Sequence, residues 1–372
     1  MEFIDLSANY TRLKDKIDAA IMDVLSSGKY ILGPAVQEFE KSLAKYIGVK
    51  HAIGCANGTD ALLMPLMAKN IKAGDAVFCP SFTFAATAEV VALAGATPVF
   101  IDIDANSYNL NVDSLKSAIN MVKEEAILQP KAIIAVDLFG LAAPYDKIKD
   151  IAAENNLLLI EDAAQSIGGK TPNGMCGALG DIGSASFYPA KPLGCYGDGG
   201  AMFTNDDEEA EILRSILFHG KGITQYDNLR IGLNSRLDSI QAAILLQKLE
   251  ILEDEMEKRS EIAAYYTKNL HDICMTPYVP NNVRSAYAQY TIMIEDRNEL
   301  QHYLAQRNIP TMVYYPKGLH LQKPYRDFPR AAGGLAETEK ISKRVLSLPI
   351  YPYLKLDDQN LVINSIREFY KK

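Results

Sequence analysis

Three stretches of the chain carry residue types that could do chemistry together. "SFYPAKPLGCYGDGG", residues 186–200, sets one lysine, Lys191, between a run ending in aromatics and a series of glycines. Pro192 bars a simple helix there, and the glycines call for close backbone approaches or positive φ. "LLLIEDAAQSIGG" delivers two acids, Glu161 and Asp162, to the end of an apolar run. A buried acid is expensive unless a cation or hydrogen bonds meet it. "GCANGTDALLMPLM" turns through Asn57 and Gly58 into a helical pattern beginning near Thr59 or Asp60. Free N–H groups and a threonine hydroxyl at such a start suit a phosphate. Each stretch alone also has an ordinary reading: a solvent-facing loop lysine, a helix N-cap, and a strand–turn–helix junction capped by Asp60. Taken together, an amine, a buried carboxylate and an anion cradle can hold an aromatic aldehyde that bears a phosphate. The amine forms the Schiff base and the carboxylate pairs with a protonated ring nitrogen.

The elements that must position these groups follow from periodicity. Leu13, Ile17, Ile21 and Leu25 fall at helical spacing in an N-terminal arm, and a second helix is expected over 36–46. Strands are predicted at 52–55, 76–79, 98–103, 131–136, 157–160, 183–187 and 201–204. Segments such as 60–67 and 142–154 are long enough for helical crossovers, so a mostly parallel α/β sheet with covered faces is expected. Ligands of such sheets gather beyond the carboxyl ends of the strands. Ser235 with Asp238 three residues on reads as the capped start of one long helix leading to a second domain. That domain has a strand candidate at 290–294 and a last helix near 360–369. "IPTMVYYPKGLHLQKPY" between them reads as loops. The division expected is 1–250 for the arm and large domain and 251–372 for the smaller one.

Composition removes several function classes. A net charge of -8 disfavours a nucleic-acid backbone as partner. No stretch has the apolar length of a membrane span, and "MEFIDLSANY" shows no secretory pattern. The five cysteines and five histidines lack paired spacing, so reduced thiols, no metal and a cytoplasmic setting are expected.

The order and spacing of "YILGPAVQEFE", "CANGTDAL", "PSFTFAATAEVVALAGATPVFIDID", "IEDAAQSIGG", "FYPAKPLGCYGDGGA", "NSRLDSIQAA" and "SLPIYPYL" resemble the DegT/StrS-type nucleotide-sugar aminotransferases across essentially the whole chain. The resemblance implies an aspartate-aminotransferase-like fold, pyridoxal 5'-phosphate (PLP) as cofactor, and glutamate and 2-oxoglutarate as the donor pair. Lys191 then matches the Schiff-base lysine and Asp162 the partner of the ring nitrogen. Gln165 matches the residue beside the phenolic oxygen. Ser186, Gly58 and Thr59 match the phosphate cradle, and Phe84 the aromatic stacked on the ring, its other reading being core packing. Asn234 matches a residue reaching the phosphate of the neighbouring subunit, which implies a homodimer with shared sites.

For the acceptor the resemblance implies a UDP-linked keto sugar of surface-glycan biosynthesis. "GLNSRLDSIQAA" is similar to the form in members that aminate C3. Arg236 matches an arginine suited to a uronate carboxylate, its other reading being an interface salt bridge. Where a similar member has histidine before "YP", this chain has Tyr314, which brings a hydroxyl but no imidazolium charge. His320 either substitutes for it in the pocket or lines a loop. A neutral UDP- or dTDP-linked 3-keto or 4-keto 6-deoxy sugar is the alternative acceptor. Lys191 disfavours the relatives that dehydrate sugars with histidine at that position. No basic face supports a cofactor-binding regulator of DNA.

Overall fold

The computed structural model describes residues 1–224 and 226–371. Seven strands form the main sheet: β1 (His51–Cys55), β2 (Asp75–Pro80), β3 (Thr97–Ile101), β4 (Gln129–Val136), β5 (Leu158–Asp162), β8 (Ile182–Ser186) and β9 (Gly200–Thr204). A small hairpin, β6 (Lys170–Thr171) and β7 (Gly174–Met175), lies between β5 and β8 in the chain. The spatial order is β1-β9-β8-β5-β4-β2-β3. Only β9 runs antiparallel to its neighbours in this sheet.

Alternation along the strands sorts the core onto two faces, as a period of two requires. Phe78, Val99, Ile133 and Ala135 pack with the helices Val112–Glu125 and Tyr145–Asn155. Val77, Phe100, Ala132 and Ile134 pack with the helices Gly58–Ala68 and Ala86–Leu93. Both faces are therefore covered, and β2 is buried along its whole length.

The smaller C-terminal α/β domain is built on β10 (Tyr290–Met293) paired antiparallel with β11 (Val345–Leu348). Its core gathers Tyr266, Tyr290, Leu300, Leu348 and Ile363. The single long helix expected from the sequence is two, Ser239–Leu249 and Leu252–Leu270. Three acids, Glu253, Asp254 and Glu255, stand in the first turn of the second, where the helix dipole favours negative charge. Ser235 does not cap the first: Asp238 is its N-cap, and the Ser235 hydroxyl accepts the Ala56 N–H at 3.2 Å instead. "AAQSI" forms turns, not a helix. All five cysteines are buried and unpaired. Among the described residues no helix is long and apolar enough to cross a membrane.

Candidate active site

The carboxyl ends of the parallel strands converge on one edge, and the predicted residues lie along it. Asp162 ends β5, Ser186 ends β8, and Asn57 and Gly58 follow β1. Asp162 is 6% exposed. Its Oδ1 accepts the Ala164 N–H and its Oδ2 the Thr87 hydroxyl, both at 3.2 Å. Burial raises its carboxyl above the ordinary range, while those hydrogen bonds and the charge of Lys191 pull it down.

Lys191 stands in the loop after β8, its backbone N–H bonded to Tyr188 O at 2.8 Å. Burial lowers its amine from the ordinary lysine value, and the negative field of Asp162 opposes that shift. The two groups thus lie within each other's electrostatic reach, the carboxylate buried and the amine partly so.

The helix Gly58–Ala68 supplies the cradle. Asn57 caps it, accepting the Asp60 N–H through Oδ1 at 2.8 Å. The first intrahelical bond is Ala61 N–H to Asn57 O, so the N–H groups of Gly58 and Thr59 precede the ladder and point outward. A Cβ on Gly58 would stand 2.6 Å from Ser186 Cβ, which shows how tightly strand and helix start approach. Phe84 is 59% exposed at the mouth, not packed in the core. Gln165 is buried, accepting the Phe139 N–H through Oε1 at 2.8 Å and reaching the Tyr315 hydroxyl with Nε2 at 3.4 Å. Phe139 holds that N–H in place from a left-handed backbone, φ 59°, a conformation uncommon for a bulky residue.

These residues fit a phosphate-bearing aromatic aldehyde: an amine that burial lowers from the ordinary lysine value, a buried carboxylate with no bonded cation among the described residues, and outward N–H groups at a helix start.

Asn234 and the residues expected at the acceptor sugar are placed as follows. Asn234 is exposed and its Oδ1 accepts from Arg236, whose guanidinium lies 4.8 Å over the Phe218 ring. Tyr314 is half-buried against Tyr315 and Phe3. His320 is 2% exposed, with Nδ1 2.6 Å from Ser81 Oγ and Nε2 3.3 Å from Glu339. It ties the turn Leu319–Leu321 to Ser81 and to Glu339, and both its ring nitrogens are engaged.

Sequence reasoning missed Thr87, Tyr315 and Asp137. Asp137 follows β4; its Oδ1 accepts from Ala143 N–H and Tyr145 Oη, and its Oδ2 from Ser166 Oγ. Glu161, alternating with Asp162 across β5, accepts three backbone N–H groups, from Gly177, Leu179 and Gly180. Asp137, Glu161 and Cys176 are the one grouping of metal-ligand types among the described residues. Their acceptor oxygens are already engaged, and burial holds the Cys176 thiol well above its ordinary value.

Residues 11–367 match the profile of the DegT/DnrJ/EryC1/StrS aminotransferase family. The chain is 46% identical over 355 residues to the UDP-2-acetamido-2-deoxy-3-oxo-D-glucuronate aminotransferase of Pseudomonas aeruginosa, covering 95% of this chain and 96% of that one. It is 43% identical over 373 residues to a pleiotropic regulatory protein of Geobacillus stearothermophilus, covering 99% and 98%. A crystal structure of a DegT DnrJ EryC1 StrS aminotransferase from Brucella abortus superimposes with a TM-score of 0.99 at 59% identity, covering all of both chains.

Proposed function

Because this chain belongs to the DegT/DnrJ/EryC1/StrS aminotransferase family of fold-type I PLP enzymes, we propose that it moves the amino group of L-glutamate to a nucleotide-linked 3-keto sugar. The observation that carries this reading is the pairing of desolvated Lys191 with desolvated Asp162 beside the open start of the helix Gly58–Ala68.

PLP, when bound, supplies an electron sink and a carbonyl for imine exchange. The chain's own groups do the rest. Lys191, its amine lowered by burial from the ordinary lysine value, would hold the carbonyl group and would take and return the proton at the donor's α-carbon. Asp162 keeps the ring nitrogen protonated. Gly58, Thr59 and Ser186 hold the phosphate, Gln165 meets the phenolic oxygen, and Phe84 covers the ring face. The same residues would serve both halves of the exchange, glutamate leaving as 2-oxoglutarate with an oxygen taken from water and the keto sugar accepting the amino group.

The acceptor we favour is UDP-2-acetamido-2-deoxy-3-oxo-glucuronate, serving bacterial surface polysaccharide synthesis in the cytoplasm. The Pseudomonas relative supports it, as does Arg236, a planar cation suited to a C6 carboxylate. A second reading has one observation in its favour. Arg236 is already stacked on Phe218 and bonded to Asn234, which would leave a neutral 6-deoxy keto sugar as the acceptor. A homodimer is part of the proposal, with Asn234 entering the partner's phosphate site. The division into an arm and large domain over 1–250 and a smaller domain over 251–372 is part of the same proposal.

Two measurements test this. Lys191→Ala should keep its fold and lose both the visible cofactor band and turnover; parental turnover at matched folding would end the assignment. Matched 3-keto and 4-keto nucleotide sugars, each with and without the C6 carboxylate, should rank the 3-keto uronate first in kcat/KM. Arg236→Ala should narrow that lead. A neutral substrate preferred and untouched by Arg236→Ala would select the second reading.

A further inference from the structure

A second lysine is buried behind the first. Lys248 is 6% exposed, and its Nζ donates to Gly194 O at 2.5 Å and lies 4.8 Å from the centroid of the Tyr196 ring. Seven residues earlier on the same helix, Gln241 accepts the Tyr196 N–H through Oε1 at 2.9 Å. Residues seven apart stand two turns apart on one helix face. One face of Ser239–Leu249 therefore grips the backbone at Gly194 and at Tyr196, three and five residues after Lys191.

The loop it grips is folded hard on itself. Phe187 O accepts the Cys195 N–H at 2.8 Å, and Tyr188 O accepts the Lys191 N–H at 2.8 Å. A Cβ on Gly194 would lie 2.5 Å from Pro189 O, and one on Gly197 2.9 Å from Gln241 Nε2. Backbone meets backbone here, so a shift at Gly194 is passed to Tyr188 and Lys191 without side chains to absorb it. Burying an ammonium against a carbonyl and a ring face is costly: burial lowers the Lys248 amine to about 8, and the negative field of buried Glu255 offsets only part of that. A methionine would fill the same space without that penalty. The ammonium fixes a direction that packing alone would leave loose: that of the Gly194 carbonyl.

We propose that Gln241 and Lys248 are positioning residues, pinning the 194–196 backbone so that the Lys191 amine is held in line with Asp162. This rests on Lys191 being the cofactor-binding lysine. Neither residue touches the reacting atoms.

The test compares full-length Lys248→Met, Lys248→Arg and Gln241→Leu with the parent. Four quantities are read: kcat and KM, the pH midpoint of the visible cofactor band, amide exchange of residues 187–197 in cofactor-free protein, and the melting temperature. Lys248→Met should lower kcat about tenfold per folded molecule with KM changed less than about twofold. It should also move the band midpoint and speed amide exchange in the loop about tenfold, and Lys248→Arg should restore much of each. Gln241→Leu should act in the same direction, and it carries the test alone if Lys248→Met does not fold. Parental kcat, midpoint and loop exchange in folded variants would overturn the proposal, as would losses that track melting alone. A visible band that survives in Lys191→Ala would instead defeat the reading beneath it.

Discussion

The Thr87 hydroxyl donates to Asp162 Oδ2 at 3.2 Å, and the Thr83 hydroxyl lies 3.1 Å from Thr87. An ionised carboxylate only accepts, so the Thr87 proton points to Asp162 and Thr83 donates to Thr87. Thr83 stands next to Phe84. Phe84, proposed to cover the cofactor ring, and Asp162, proposed to pair with its nitrogen, are thus linked through the backbone at Thr83 and two hydroxyls.

Thr87→Val removes the last of these donors with little change in shape. A hydrogen bond to a charged group contributes about 1.5–3 kcal/mol, so kcat should fall roughly ten- to hundredfold. The Asp162 carboxyl, already raised by burial, should rise further. Cofactor affinity of the cofactor-free protein should then fall off at a higher pH than in the parent. Thr87→Ser should recover both. An unchanged pH dependence in Thr87→Val would show that the hydroxyl does not act on Asp162.

Asp137 has a stability signature. Burial lifts its carboxyl from the ordinary 3.8 to a higher value, in a titration it shares with Glu161, buried beside it and likewise raised. Between those values the folded chain keeps a proton that the unfolded chain has released, so stability falls as pH rises through that window and is level above it. An amide at this position would not have the dependence: its oxygen can accept from Ala143 and Tyr145, and its nitrogen can donate to Ser166. We expect Asp137→Asn to be more stable than the parent near neutrality. The advantage should vanish near the ordinary carboxylate range. Urea midpoints at both pH values decide it, and equal midpoints near neutrality would contradict the expectation.

Gly58→Ala tests the phosphate cradle by steric means. Its Cβ would meet Ser186 Cβ at 2.6 Å, forcing the helix start and the end of β8 apart. Affinity for pyridoxal phosphate should drop about tenfold or more, since outward N–H groups at a helix start hold the anion. Affinity for pyridoxal, which has no phosphate, should change little. Equal losses for both would point to general damage at the site.

The segment before Asn234 exposes Ile223, Tyr226, Leu229 and Ile231, at 97%, 89%, 60% and 86%. So much apolar surface on one segment suits contact with a second copy. Mixing chains carrying Lys191→Ala with chains carrying Asn234→Ala should regenerate one intact site in each mixed dimer. Random pairing then predicts about a quarter of parental activity. Demonstrated mixed dimers without activity would rule out shared sites.

Lys191, Asp162 and the Asn57–Gly58 turn were legible because each has a local signature: a proline and glycines, an apolar run ending in acids, a strand giving way to helical spacing. The seven strands were legible for the same reason, to within a residue or two at most ends. Thr87, Tyr315 and Lys248 were not, because their meaning lies in partners 75, 150 and 54 residues away. Each looks locally like an ordinary helix or loop residue. The helix Asp207–Ile216 did carry a signal that was passed over: Asp206 as N-cap and three acids in the first turn. Reading Ser235 as a cap failed on a tertiary contact, since Ala56 claims its hydroxyl. His320 sits near Tyr314 in sequence, yet the fold turns it inward to Ser81.

Glu161 also acts as a key to strand register. The two acids of β5 are neighbours on opposite faces, so sliding that strand by one residue would exchange them. Glutamate would then face the site, and aspartate, one methylene shorter, would be offered to the N–H groups of Gly177, Leu179 and Gly180. It could not reach all three, and burying the unmet donors would weigh against the slipped pairing. The mispaired chain is thus disfavoured before it can compete, by a residue that takes no part in the reaction. A proofreading contact of this kind selects the one alignment in which Asp162 meets the Thr87 hydroxyl and the Ala164 N–H.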